Sequence, residues 1–416
     1  MKSSTITGIV GAVVCALAIY QSARVGFART YALQALAVNG VTAAEKSTRL
    51  LPNDAEVHAA RGVVLQRTEA YPEGCRELER AVQLRPRDYF LWIMLAVTRD
   101  LNDDQSGGVE ALRQSVELAP YYARPRWLLG NMLLRTGQID EGFEQLRRAE
   151  ESDPTLLPSV IDLAWGVSQS DPANTIALVE PRGDDAHLAL AIFLATHEQG
   201  TMALDEFRKV GRPAAAAADQ LISRLIAARS FAEAFEVWTK MHCAACRPAA
   251  FVNGDFEDDV DIDNHGFGWQ ITANTPDVVI SLDAAERLSG ARSLHLDFHG
   301  NATTAETSLV SQTIVVQAGS HYKVSLQAMT LSFASAAGPM VRVLDASDPR
   351  HAILAQSAIA IDHPGWQPYS VSFTAGSNTP AVQVIINRAD CPNGGCGAFG
   401  TLWLDSFQMD QEVALR

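Results

Sequence analysis

The chain has 416 residues, 47% of them hydrophobic and 19% charged, so it exceeds one ordinary domain and is apolar enough to bury two or three cores. Its net charge of −15 and pI near 5.1 argue against a nucleic-acid partner, because phosphate binding would work against the protein's own field.

From Ser3 to Ala23 no residue is charged, and Gly8–Tyr20 is almost wholly apolar. That length just suffices to cross a bilayer. Three readings compete: an uncleaved anchor, a cleaved secretory signal and a buried first helix. The run is long for a signal core and has no polar face. Its small-x-small triplet, Ala16-Leu17-Ala18, lies within the apolar stretch instead of after it, and Val14 before Cys15 argues against a lipid-anchored cysteine. Residues 1–24 therefore read as a transmembrane anchor, with a signal as the alternative. Arg24, Arg29 and Arg49 follow the span and only Lys2 precedes it, a count that favours a cytoplasmic body. Cysteine usage further along favours the opposite side, and the expectation is a single pass through a bacterial inner membrane with a periplasmic body.

Pro52, Pro86, Pro120 and Pro154 stand 34 residues apart, and Gly40, Gly74, Gly108 and Gly142 keep the same step twelve residues ahead of each. A fixed period of that length marks paired-helix repeats. Gly62 and Gly130 share one slot, Leu95 and Leu129 another, Ala81 and Ala149 a third, with Trp92 and Trp127 near the first turn of their repeats. This series resembles the tetratricopeptide repeat (TPR) family, which implies an α-solenoid of four repeats over residues 25–154. Arg61 stands where that family prefers Leu, and Arg99 and Leu133 where it prefers Tyr. Amphipathic segments continue through residues 155–242 with a degenerate register and read as further repeats and a solenoid cap. Stacked helix pairs present a concave surface suited to a protein partner. Arg61, Arg99, Arg126 and Arg135 are the candidate groove residues, against the alternative of a solvated helix face.

Residues 243–250 form a linker. Cys243 and Cys246 have CxxC spacing, which leaves a redox pair, half a metal site and a small structural disulfide open. Beyond it, residues 251–416 carry short runs of Val, Ile, Leu, Phe and Thr broken by Gly, Asn, Asp and Pro, the composition of an antiparallel β-sandwich. The motifs Phe251-Val252-Asn253-Gly254-Asp255-Phe256-Glu257, Gly268-Trp269, Ser289-Gly290-Ala291-Arg292-Ser293-Leu294, Gly365-Trp366 and Leu402-Trp403-Leu404-Asp405-Ser406-Phe407 follow in order. The series looks like the carbohydrate-binding modules of the family 4 and 9 type, galactose-binding-like jelly rolls.

That resemblance implies a structural calcium ion at Glu257 and Asp405. The acidic segment Asp255–Asp263 supplies hard oxygen donors, with a solvated acidic loop as the alternative. No other cofactor is expected. Trp269 and Trp366 are the first candidates for stacking on a sugar, although both occupy positions that also read as core. Phe267, His299, Tyr322 and Gln327 are further glycan-binding candidates. Cys391 and Cys396 enclose an Asn393-Gly394 turn that brings their sulfurs together, so a disulfide is expected, and with it a location outside the reducing cytoplasm.

The expected architecture is a multidomain α + β chain: an N-terminal membrane helix, a TPR-type α-solenoid and a C-terminal β-sandwich (jelly roll). The expected function is a non-enzymatic scaffold that holds a protein in the solenoid and a glycan or envelope component on the sandwich. The resemblance implies a context of exopolysaccharide or envelope-polysaccharide assembly. One alternative is a structural sandwich serving a purely protein-binding scaffold. Another is a glycan-modifying hydrolase, which the clustering of the carboxylates in one loop disfavours.

Overall fold

The computed structural model describes residues 2–260, 266–272, 277–300, 308–361, 363–389, 391 and 396–412. Asp261 and Asp263 of the acidic segment and the Asn393-Gly394 turn lie outside them. The chain divides into two compact units, Met1–Glu180 and Pro181–Arg416. The second unit joins the last four helices to the sandwich.

The first unit contains α1 (Lys2–Val38), α2 (Val41–Leu50), α3 (Ala55–Arg67), α4 (Tyr71–Leu84), α5 (Tyr89–Leu101), α6 (Gln105–Leu118), α7 (Ala123–Arg135), α8 (Ile139–Ser152), α9 (Leu157–Val167) and α10 (Pro172–Val179). Helices α3–α8 form three successive pairs, and the sequence period explains how. A Cβ on Gly62 would come within 2.6 Å of Leu78, and one on Gly130 within 2.7 Å of Leu146, so only glycine lets the paired helices approach this closely. Glu69, Asp103 and Gly137, also 34 apart, carry the positive φ that ends the first helix of each pair. His58, Trp92 and Arg126 share a slot, and each sets a ring or guanidinium nitrogen 2.9–3.0 Å from the carbonyl of Pro52, Pro86 or Pro120. Each repeat thus fastens its first helix to the proline turn before it.

Helix α1 joins the expected anchor to the first repeat without a break. Ala28, Ala32 and Ala35 are buried on one stripe against α2 and α3. Upstream, Ile9, Val10, Val13, Val14, Leu17, Ile19 and Tyr20 are exposed. The boundary expected after residue 24 falls inside this helix, because no proline or N-capping residue interrupts Arg24–Arg29.

The second unit opens with α11 (Asp184–Thr196), α12 (Gly200–Arg208), α13 (Ala215–Ala227) and α14 (Phe231–His242). These are two more antiparallel pairs. His187 reaches Glu206 at 2.7 Å over the 19-residue separation that also joins His58 to Glu77, so the repeat's internal geometry persists after its register is lost.

The sandwich comprises β1 (Gln270–Ile271), β2 (Val278–Asp283), β3 (Ser293–His299), β4 (Val310–Val315), β5 (His321–Ser335), β6 (Pro339–Asp345), β7 (Ile353–Ala358), β8 (Gln367–Thr374), β9 (Ala381–Arg388) and β10 (Ala398–Glu412). One sheet has the order β1-β4-β9-β6-β7, the other β2-β3-β10-β5-β8, and every pairing is antiparallel. Their inner faces enclose a core that includes Leu296, Val324, Leu326, Val343, Val384 and Leu402.

Candidate functional site

The four arginines expected along a solenoid groove are all engaged within the chain. Arg61 pairs with Glu77 at 2.9 Å, Arg99 with Glu79 at 2.9 Å and Arg135 with Asp100 at 2.6 Å. Arg126 is buried on Pro120 and Gln145. Their spacing reflects contacts between helices, with Arg135 still half-exposed and Arg126 buried.

Three of the expected sugar-stacking rings are also core. Trp269 is 3% exposed, lies between Phe251 and Phe256, meets Phe407 edge-on and donates its indole N–H to Asn253 at 2.8 Å. Phe267 is buried edge-on against Phe235 and Trp238, joining α14 to the sandwich. Tyr322 faces inward with Val324 and Leu326, stacks on Phe373 and accepts from the Gln317 amide. None has a free ring face. Trp366 is half-buried beside β8, His299 is exposed at the end of β3, and Gln327 borders a 420 Å³ groove with Lys323, Ser325, Ser370, Ser406 and Gln408.

The two carboxylates proposed for calcium do not form a shared oxygen cage. Glu257 accepts from the amides of Ala291 at 2.8 Å and Arg292 at 3.2 Å. Asp405, fully buried, accepts from the amides of Leu288 and Ser289 at 3.1 and 3.3 Å. The Arg292 guanidinium donates to the Glu257 carbonyl and to Asp259. N–H donors and a cation therefore surround the oxygens that a calcium ion would need, and among the described residues no three His, Cys, Asp or Glu side chains converge on a metal position. Among the described residues the two carboxylates act as a clamp on the loop segment 288–292.

Both CxxC and CxxxxC pairs are disulfides, Cys243–Cys246 and Cys391–Cys396. Arg388, at the end of β9, donates to the Cys396 carbonyl at 2.8 Å and to Ser335 at 2.7 Å, and burial pushes its guanidinium below the usual value.

A polar face not singled out in the sequence lies on β4, β9 and β6. Val310, Ile314, Val382, Val384, Ile386, Val341 and Val343 enter the core, so alternation turns Ser311, Thr313, Gln383, Asn387, Met340 and Arg342 outward. The strand register sets Thr313 beside Gln383, and Ser311, Ile385 and Arg342 in one row; Asn387 stands beside Met340. Gln383 donates to the Ser311 hydroxyl at 3.3 Å. Although they point away from the core, Ser311 and Asn387 are only 4% and 1% exposed. Those two positions are covered, and among the described residues the face carries hydroxyl, amide and guanidinium groups and no carboxylate. That donor and acceptor set suits a polyhydroxylated ligand and lacks the acid–base pair that glycoside hydrolysis requires. The sequence signal was present as polar residues at alternate strand positions, but any solvated strand face has the same pattern.

Among solved structures, the helical part is similar to MamA from Desulfovibrio magneticus RS-1, at 17% identity over 45% of this chain and 92% of that one with a TM-score of 0.31. It is also similar to YrrB, a TPR protein with an unusual peptide-binding site, at 18% identity over 51% and 89% with a TM-score of 0.30. The sandwich is similar to a CBM4 structure at 15% identity over 39% and 99% with a TM-score of 0.29. At scores this low the likenesses carry no functional weight. No curated protein matches the sequence. Residues 248–393 match the family model described as a carbohydrate binding domain.

Proposed function

We propose that this protein is a membrane-anchored, non-catalytic scaffold whose β-sandwich binds a glycan on the polar face of β4, β9 and β6. The observation that carries the reading is the coincidence of that face, where Thr313, Gln383 and Arg342 are partly exposed, with a stretch matching a carbohydrate binding domain. The helix pairs of residues 25–154 serve to hold a protein partner, in keeping with the general use of stacked helix repeats. In this reading the exposed apolar stretch of α1 is the anchor, and the two disulfides support a body on the periplasmic side of a bacterial inner membrane. Assembly of an exopolysaccharide or envelope polysaccharide is the process that combines these parts.

A glycan-array screen of the purified protein tests the reading. Retention of one glycan class, lost in Arg342→Ala and Gln383→Ala variants that stay folded, is the expected result. No retention by a folded protein would leave the sandwich a structural or protein-docking module.

A further inference from the structure

The opposite sheet carries an exposed aromatic ring that neither the loop clamp nor the polar face uses. On β10, Phe399, Thr401 and Trp403 point outward, flanked in register by His299, Asp297 and His295 of β3. Trp403 is almost fully covered: it stacks on His295 and donates its indole N–H to Asp283 at 2.9 Å. Phe399, four residues before Trp403 on the same face, is 58% exposed, and Leu331 beside Thr401 is 49% exposed.

The backbone beneath Phe399 is built to hold the ring there. Between Phe399 and Thr401 the β10–β5 register shifts, with Ser332 and Phe333 both opposite Gly400. Gly400 has φ +99°, and a Cβ on it would fall 2.3 Å from the Ser332 carbonyl. Bulges of this kind re-aim a side chain. The ring then lies over Gly300, φ +95°, where a Cβ would sit 2.1 Å from its edge. Glycines at both positions fix an apolar ring in water, a costly arrangement for a residue that only packs.

We infer that Phe399 is the stacking platform of a second glycan site, on the sheet opposite the polar face, with the neighbouring Asp297 and His299 taking the hydroxyls of the bound sugar ring. Asp297 and His299 lie 3.7 Å apart and supply an acceptor and an imidazole at the platform's edge. A sugar is the occupant that matches the surface. One phenyl ring with one leucine, bordered by ionisable groups, fits the apolar face of a hexose, whereas a protein interface wants about 800 Å² per partner. Such a site would let the module grip one chain on both sides or bridge two chains, and avidity follows from the linkage.

The test is saturation-transfer NMR and calorimetric titration of the full-length protein with cellohexaose, xylohexaose and laminarihexaose. Wild type is compared with Phe399→Ala, Phe399→Tyr and Arg342→Ala, each checked for an unchanged melting curve. The expected result is two binding events, one that weakens at least about tenfold in Phe399→Ala and is retained in Phe399→Tyr, and a second that weakens in Arg342→Ala alone. Binding abolished by Arg342→Ala and indifferent to Phe399→Ala overturns this inference and leaves the polar-face proposal standing. Binding abolished only by Phe399→Ala supports this site and removes the other. Self-association of the wild type that Phe399→Ala abolishes, or no contact with any of the three sugars, also overturns it.

Discussion

At the residue scale, the 34-residue period is fastened by one recurring hydrogen bond, from the first helix of a repeat to the proline carbonyl before it. His58, Trp92 and Arg126 are unlike in chemistry, so no composition rule would group them; they share only an N–H placed for the proline carbonyl. His58 also meets Glu77 at 2.6 Å, and that hydrogen bond raises its pKa above the usual histidine value. Glu77 is held below the usual carboxylate range by His58 and Arg61 despite burial that opposes ionisation. A raised histidine contributes stability that is complete below its unfolded pKa of about 6.5 and is lost as pH climbs through the native value. Glu77 stays ionised over that window. The stability gap between wild type and His58→Phe in urea should therefore be largest near pH 6 and shrink toward about pH 9; a gap that grows with pH contradicts the pairing. Trp269 shows the opposite case, since its core position was readable from the motif, whereas the role of Phe267 depended on α14, far away in sequence. Replacing Phe267 with Ala should cost about 3–5 kcal/mol in denaturant unfolding of the second unit, and a loss below about 1 kcal/mol would mean α14 is not held by it.

At the element scale, β2–β6 and β8–β10 coincide with runs of β-formers, whereas β1 and β7 do not. Strand β1 is two residues long, too short for any pattern. Strand β7, Ile353–Ala358, is a largely exposed edge rich in Ala, Gln and Ser, so it shows neither alternation nor a β-branched run. The polar face escaped notice for a related reason: Ser311, Gln383 and Asn387 look like ordinary solvated positions until the sheet shows Ser311 and Asn387 covered. The loop of residues 284–292 has no regular structure and is held by carboxylates reached from Glu257 and Asp405. Asp405→Ala leaves two amides without their acceptor and should lower stability by about 1–3 kcal/mol. A chelator should leave the wild-type melting temperature unchanged. A drop on chelation that calcium restores would show that the ion, and not the amide clamp, holds this loop.

At the scale of the whole molecule, α1 runs from its exposed apolar stretch into the first helix pair without a break. A helix of 37 residues is about 55 Å long at 1.5 Å per residue. Its exposed apolar portion therefore continues into the stripe that packs on α2 and α3, with no flexible joint between. The protein should stay in the membrane pellet through alkaline carbonate washing, and its N-terminus should begin upstream of Gly8; release, or a mature N-terminus beyond Tyr20, would identify a signal sequence. The glycan reading rests on the sandwich. The measurement that tests it most directly is the affinity of the second unit, residues 181–416, for the best glycan from the array, beside Gln383→Ala and Arg342→Ala. Loss of about 1–3 kcal/mol in each variant, with unchanged melting curves, is the predicted result. Full affinity in both variants would contradict the placement of the site on β4, β9 and β6.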